Sequence, residues 1–250
     1  MESKLFRDYH THTTYSHGLG SVADNVSAAE KAGLKTIGIS DHGPGHILFG
    51  INMKKLPDIV SDINAARDAH PGIEVLLNVE ANIINPSGAL DIPDEFSGFF
   101  DRIIAGYHMG VFGEAPVRAF CTHASNAVYN VTSGSTKHLK NHNTELVIKA
   151  LEKNKIFILS HPGSKAPVDM KEIAKACAVC GTLLEVNNNH DGLDVEGIRI
   201  AAEHGAGLVI SSDAHRPKNV GRCDRAVARI KEAGIQSSLI TNLRGDAGWN

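Results

Sequence analysis

The sequence is poor in cysteine and tryptophan, and it has no excess of positive charge. Four cysteines (Cys121, Cys177, Cys180, Cys223) in 250 residues are too few and too scattered to form a disulfide framework. Cys177-Ala-Val-Cys180 has CxxC spacing but lies at the end of an amphipathic helical pattern, and the chain holds no second pair. It reads as two small thiols rather than a zinc knuckle or redox pair. A formal net charge of -3 excludes the positive field on which general nucleic-acid and membrane-surface binders rely. No basic stretch followed by an apolar run opens the chain and no segment approaches a membrane span, so the expected compartment is the cytoplasm. Dinucleotide and phosphate-loop glycine motifs are missing, Gly18-Leu-Gly20 being too short to count. Nucleophile motifs built on Ser, Cys or Lys are missing too.

The rest of the composition is that of a globular protein with a core, 42% hydrophobic and 21% charged. Short apolar runs alternate with amphipathic stretches almost to the end. Strands are expected at Leu5–Tyr9, Thr36–Ser40, Ile73–Val79, Arg102–Tyr107, Ile156–Ser160, Leu183–Asn187 and Gly207–Ser211. Near-continuous apolar runs such as Ile156-Phe157-Ile158-Leu159 suit strands buried on both faces of a parallel sheet. Helices are expected at Val22–Ala32, Leu56–Ala69, Thr144–Lys153, Met170–Cys180, Val195–His204 and Asp224–Ala233, with Gly33, Gly181 and Gly205 as stops after three of them. Strand–helix alternation of this length implies a parallel α/β fold, either a closed barrel or an open doubly wound sheet. An eighth strand at Ser238–Thr241 is a weaker expectation. The Ser-, Thr-, Asn- and His-rich stretch Gly110–His142 is expected to lay a helix and loops over one end. No linker composition interrupts the chain, so residues 1–250 are read as one domain.

What the sequence has in quantity is histidine, fourteen against a single tryptophan, and the informative feature is where these residues fall. The first expected strand runs into Asp8-Tyr9-His10-Thr11-His12, with His17 close behind. The second runs into Ser40-Asp41-His42-Gly43, the third into Glu80, the fourth into His108, the fifth into Ser160-His161-Pro162-Gly163 and the seventh into Ser212-Asp213-Ala214-His215. Parallel α/β folds gather ligands at the carboxyl ends of their strands, because the loops there converge on one mouth. His10 and His12, two apart on a strand, can chelate one ion, and Asp213 with His215 repeats that spacing. A set of imidazoles and carboxylates without thiolate suits zinc, manganese or iron in an open site rather than a structural zinc site. Nine donors exceed one ion and fit two or three. The other histidines (His46, His70, His123, His138, His142, His190, His204) are read as ordinary polar residues. Among them, His70 and His204 sit where helices end, and His46 is a candidate pocket liner.

At these motifs the sequence resembles the PHP (polymerase and histidinol phosphatase) superfamily. Four signature segments occur in order, His10-Thr-His12, Ser40-Asp41-His42-Gly43, Ser160-His161-Pro162-Gly163 and Ser212-Asp213-Ala214-His215, and the resemblance spans residue 8 to about 220. The compact length is similar to the short stand-alone bacterial phosphatase branch. The resemblance implies a distorted (β/α)7 barrel, TIM-like, with the active site at the C-terminal ends of the strands and three divalent ions. Zinc is the first choice, with manganese or iron as alternatives. It also implies that His10, His12, Glu80 and Asp213 hold the first ion. Bridging Glu80 with His108 and His161 would hold the second, and His17, His42 and His215 the third. Asn78 departs from the pattern, a Gly being expected two residues before the Glu.

The expected function is hydrolysis of small phosphomonoesters by a metal-bound hydroxide, with no protein nucleophile. Asp41 is the candidate to orient a ligating imidazole, and Arg216 the candidate phosphate clamp. Lys165 reads as a solvated charge. Rival readings are a phosphodiesterase or nuclease acting on nucleic-acid ends, a metal-storage or structural metal protein, and an amidohydrolase-like deaminase or peptidase. No strand-end lysine supports the last. A small-molecule phosphate ester is the expected partner, without stable nucleic acid or membrane, and a homo-oligomer is left open.

Overall fold

The computed structural model describes residues 5–111, 125–128 and 137–243. Seven strands form one sheet in sequential order: β1 Arg7–Thr11, β2 Thr36–Ile39, β3 Glu74–Asn82, β4 Arg102–Gly106, β5 Ile158–Leu159, β6 Leu183–Asn187 and β7 Leu208–Ser211. Every neighbouring pair is parallel. Thr11 bridges to Ala214, and the His12 N–H donates to the Ala214 carbonyl at 2.9 Å. The last strand thereby returns to the first, and the sheet is a nearly closed barrel rather than an open one.

Between the strands run α1 Val22–Ala32, α2 Leu56–Ala69, α3 Lys137–Lys153, α4 Met170–Cys180, α5 Val195–Glu203 and α6 Asp224–Ala233. Their starts are written locally. Ser21 and Asp24 form a reciprocal capping box on α1, and Asp169 and Asp194 accept from first-turn N–H groups of α4 and α5. α3 begins seven residues before its expected start, because its polar first half Lys137–Asn143 shows no apolar period to the eye. The eighth strand does not form. Ser237–Leu239 is a turn of 3-10 helix, after which Ile240 bridges to Leu208 and Leu243 to Leu5.

Alternation along each strand separates two cores. Leu184, Val186, Leu208, Ile210, Ala105 and Leu159 pack outward against the helices. Ile104, Ile158 and Val209 fill the barrel interior with Tyr9 and Phe157. Each buried aliphatic of this size contributes roughly 1.5–3 kcal/mol. This plug closes the lower barrel, so polar groups can gather only above it.

Asn78 belongs to this interior. Its amide donates to the Tyr9 carbonyl at 3.1 Å, and it fits because Gly38 faces it on β2, where a Cβ would lie 2.2 Å from the Asn78 nitrogen. The side chain missing at one strand makes room for the extra one on the next.

The seam between β1 and β7 is held by side chains. Buried Asn242 accepts from the Ile210 N–H at 3.0 Å and donates to the carbonyls of Arg7 and Ile210 at 2.7 and 2.6 Å. Asp8 accepts from the N–H groups of Ser212 and Gly221. Among the described residues no helix is long and apolar enough to cross a membrane. Cys177 is buried in the helix-side core, where burial pushes its thiol up to about 12, while Cys180 is exposed. The CxxC pair thus holds no shared site, and Cys121 lies outside the described residues.

Candidate metal centre

All nine expected donors meet at the barrel mouth. His10 belongs to β1 and His12 follows it directly, both fully buried. β1 carries one residue more than β2 between Asp8 and Thr11, a bulge of the kind that re-aims side chains beside active sites. Glu80 lies within β3, whereas His42, His108, His161, Asp213 and His215 follow the ends of β2, β4, β5 and β7. Most of these donors line a cleft of about 350 Å³ together with His46, Phe49, Met109, Lys165 and His190.

The spacing of the donor atoms is that of ligands around shared cations. Atoms bound about 2.0–2.2 Å from one ion at tetrahedral angles sit roughly 3.3–3.6 Å apart. The Nε2 atoms of His10 and His108 lie 3.4 and 3.3 Å from Glu80 Oε1, and that of His161 lies 2.9 Å from it. His12 Nε2 is 3.1 Å from His10 Nε2 and 3.2 Å from Asp213 Oδ1. The rings of His17 and His215 are 4.1 Å apart, and those of His12 and His215 4.4 Å. Three sets of donors lie close enough to share an ion: His12, His17, His42 and His215; His10, His12 and Asp213; His42, Glu80 and His108. His12 and His42 each fall in two of them, so the sets are contiguous.

These atoms are also short of protein partners. Nδ1 of His12 and His17 is buried without a hydrogen bond, and Nδ1 of His42 and Oε2 of Glu80, 2.9 Å apart, have only each other. Leaving such a group unpaired costs about 1–3 kcal/mol, and cations at the centre of the cluster would remove that cost. The set of imidazole nitrogens and carboxylate oxygens therefore fits divalent metal.

Neighbouring groups fix which nitrogen faces the cluster. His10 Nδ1 donates to the Glu185 carboxylate at 2.7 Å and His215 Nδ1 to the Asp213 carbonyl at 2.9 Å. His108 Nδ1 donates to Asn82 Oδ1 at 2.8 Å, and the Asn82 amide is itself oriented by the half-buried Asp91 carboxylate. Each arrangement leaves Nε2 with its lone pair directed inward. Burial pushes His17 and His108 down to about 4, which keeps both neutral. At His10 burial opposes charge, but Glu80, Glu185 and Asp213 outweigh it and hold the pKa well above its usual value; His161 is raised in the same way. Burial would raise Glu80 and Asp213, yet the histidines around them hold both well below the carboxylate range.

Backbone strain is concentrated here. Among the described residues, only His161 (φ 30°) and Asp213 (φ 51°) have positive φ without being glycine. Each conformation costs on the order of 1–3 kcal/mol and persists only where its surroundings enforce it. The Glu185 Oε2 atom accepts from the His161 N–H at 2.8 Å, and Asn189 donates to the Asp213 carbonyl at 2.8 Å.

Several expectations need correction. Asp41 orients no imidazole. Its carboxylate accepts from Thr13 N–H and Oγ1 at 2.7 and 2.6 Å and from Ser16 Oγ at 2.5 Å, and so holds the loop between His12 and His17. Arg216 is exposed and absent from the cleft lining. The cation on the cleft wall is Lys165. His190 is no ordinary surface residue either: it lines the cleft with Nε2 3.5 Å from Asp213 Oδ2, and burial pushes it to about 4. His46 lines the cleft, while His70 and His204 cap the ends of α2 and α5. His138 and His142 lie on α3 away from the cleft, and His123 lies outside the described residues.

Sequence reasoning missed Glu185, Asn187 and the Asn82–Asp91 pair. The signal for Glu185 was a lone carboxylate inside the apolar strand Leu183-Leu184-Glu185-Val186-Asn187, a position where an unpaired charge is almost never buried.

The comparisons agree with this geometry. A "Probable phosphatase" of Thermoanaerobacter sp. (strain X514) is 30% identical over 96% of this chain and 91% of its own length. A "Probable phosphatase" of Shewanella sediminis (strain HAW-EB3) is 29% identical over 98% and 92%. The crystal structure of histidinol phosphate phosphatase from Lactococcus lactis subsp. lactis Il1403, complexed with zinc, L-histidinol and phosphate, matches the fold with a TM-score of 0.56. Its identity is 17%, and the match covers 93% of this chain and 94% of that one. The model of the PHP domain matches residues 8–189. Barrel, ordered motifs and relatives converge on one assignment: this chain belongs to the PHP domain family.

Proposed function

We propose that residues 1–250 form one metallohydrolase domain that cleaves small phosphomonoesters with water at a cluster of three divalent ions, zinc first among them. That the chain is a phosphoester hydrolase follows from its family and from the phosphatases it resembles over nearly its whole length. The observation that carries the finer reading is the convergence of nine donors at the barrel mouth, seven of them lining one cleft.

His10, His12, Glu80 and Asp213 would hold one ion, Glu80, His108 and His161 a second, and His17, His42 and His215 a third. Ions so held lower the pKa of bound water and neutralise charge that grows on the phosphoryl oxygens. The protein's own part is preorganisation. Glu185, Asn82 and the Asp213 carbonyl keep three imidazoles in one tautomer and orientation. Lys165 supplies a positive charge on the cleft wall for the phosphate. Among the described residues no serine or cysteine lines the cleft, in keeping with direct transfer to water.

A nuclease reading finds little support. Among the described residues Lys165 is the only Lys or Arg in the lining, and the chain carries net negative charge, whereas strand binding needs a cationic track.

The test combines metal analysis with turnover. The protein as purified should carry close to three equivalents of metal. It should hydrolyse phosphomonoesters, lose that activity on chelation and regain it on reloading. Activity untouched by complete metal removal, or a single-stranded oligonucleotide preferred over every monoester, would overturn the reading.

A further inference from the structure

The cleft has two unlike walls, and the difference bears on what is attached to the phosphate. Apart from seven of the donors, the lining consists of His46, Phe49, Met109, Lys165 and His190. Lys165 and His190 come from the loops after β5 and β6. His46, Phe49 and Met109 come from the loops after β2 and β4, which are joined where the Ile47 N–H donates to the Gly110 carbonyl and His46 bridges to Val111. Phe49 stacks on His17 with ring centroids 4.4 Å apart and packs at 4.9 Å from His46.

This wall is built. The loop 43–50 is fixed by Gly43 N–H to the Glu80 carbonyl, Gly45 N–H to the half-buried Asp91 carboxylate, Gly50 N–H to the His46 carbonyl and Ile51 N–H to the His42 carbonyl. Yet it presents Ile47 and Leu48 at the mouth 62% and 77% exposed, and Phe49 and Met109 38% exposed each. Contiguous apolar surface of this kind beside a cleft marks a binding surface.

Absences in the lining count as much. Among the described residues it holds no Ser, Thr, Asn, Gln, Tyr or Arg, so that outside the donor set its polar groups are His46, Lys165 and His190, and it holds no carboxylate beyond Glu80 and Asp213. Sites that read hydroxyl groups are built with several such partners and reject analogues through them.

Resting on the phosphomonoesterase reading, we propose that the organic group of the substrate is an uncharged aromatic ring seated on Phe49, His46 and Met109, and not a polyol. A ring can stack on Phe49 and meet the Met109 thioether edge, contacts that favour flat aromatic partners over hydrated ones. The phosphate then lies toward Lys165 and the ions.

The test uses metal-loaded enzyme and primary-alcohol phosphates, so that leaving-group chemistry is matched: benzyl phosphate, glucose 6-phosphate and L-histidinol phosphate. Expected kcat/KM for benzyl phosphate exceeds the other two by on the order of tenfold or more. Phe49→Ala collapses that preference, whereas Val179→Ser, exposed on α4 and outside the cleft lining, leaves it intact. Because Phe49 touches His17, metal content is measured alongside. Independently of any variant, benzylphosphonate should inhibit wild-type enzyme at least about tenfold more tightly than methylphosphonate. Equal inhibition by the two, or a preference for glucose 6-phosphate or L-histidinol phosphate, overturns this inference while leaving the phosphatase standing. Failure to hydrolyse any monoester overturns both.

Discussion

Replacing Glu185 by Gln probes the layer beneath the metal donors with a change of almost no volume. The carboxylate is fully buried and accepts three hydrogen bonds, from His10 Nδ1 at 2.7 Å, the His161 N–H at 2.8 Å and Asn187 Nδ2 at 2.8 Å. Burial raises its pKa, but His10 and His161 outweigh burial and hold it below the usual range, so at neutral pH it can only accept. A glutamine keeps one acceptor oxygen and turns the other corner into a donor. With its oxygen toward His10, its NH2 faces two donors; turned round, it faces the His10 N–H. Asn187 cannot rescue the arrangement by flipping, because its own oxygen accepts from the N–H groups of Asn189 and His190. At least one buried donor is left unpaired at about 1–3 kcal/mol, and His10 loses the anion that fixes its ring. Loss of such a partner typically weakens metal binding about 10–100-fold. Competition against a chromophoric chelator should show that weakening. Urea denaturation of the metal-free protein should show a loss of about 1–3 kcal/mol, since only the unpaired donor counts there. If E185Q binds metal within a factor of about two of wild type, or if its whole defect appears as lost apo stability, Glu185 does not position His10 and the reasoning fails.

Metal loading should release protons, because His10 and His161 have raised pKa values and must lose a proton to bind, whereas His17 and His108, pushed down to about 4, are already neutral at pH 7. Affinity should therefore rise with pH through the neutral range; calorimetric titration in buffers of different ionisation enthalpy measures the release, and a pH-independent affinity would contradict it. Asn242→Ala opens three hydrogen bonds at the β1–β7 seam and should cost about 2–4 kcal/mol. That would lower the urea midpoint at unchanged slope, with metal stoichiometry retained; wild-type stability would show that the seam does not depend on it.

The fold was legible because nearly every strand is an apolar run followed by a helix with its own start and stop. Boundaries slipped where burial and hydrogen bonding disagree. β1 runs from Arg7 to Thr11 and not from Leu5 to Tyr9, since Leu5 pairs antiparallel with Leu243 below the barrel. β3 continues through Glu80 to Asn82, because a carboxylate surrounded by imidazoles is no obstacle to a strand. The donors were legible because their motifs sit at strand ends. Asp41 and Arg216 were misplaced because adjacency in sequence was taken for adjacency in the site. Asp41 turns toward Thr13 and Ser16, and Arg216 is exposed beyond His215 and outside the cleft lining. The stretch expected to lay loops over the mouth falls largely on 112–124 and 129–136, outside the described residues.

The one strand without a donor at its end explains why the others can carry so many. β6 contributes to the cluster from inside the barrel, with Glu185 one layer down and Asn187 above it, reaching His10 of β1, the backbone of His161 after β5 and Asp213 after β7. A rim made only of donors would be a ring of mobile imidazoles with two strained backbones and no reason to hold either. Placing one acceptor-only carboxylate beneath ties three strand ends to a common point before any ion arrives. Alternation along β6 forces this arrangement: with Leu184 and Val186 packed outward, Glu185 and Asn187 have only the interior to face, and the interior at that height is the floor of the metal centre.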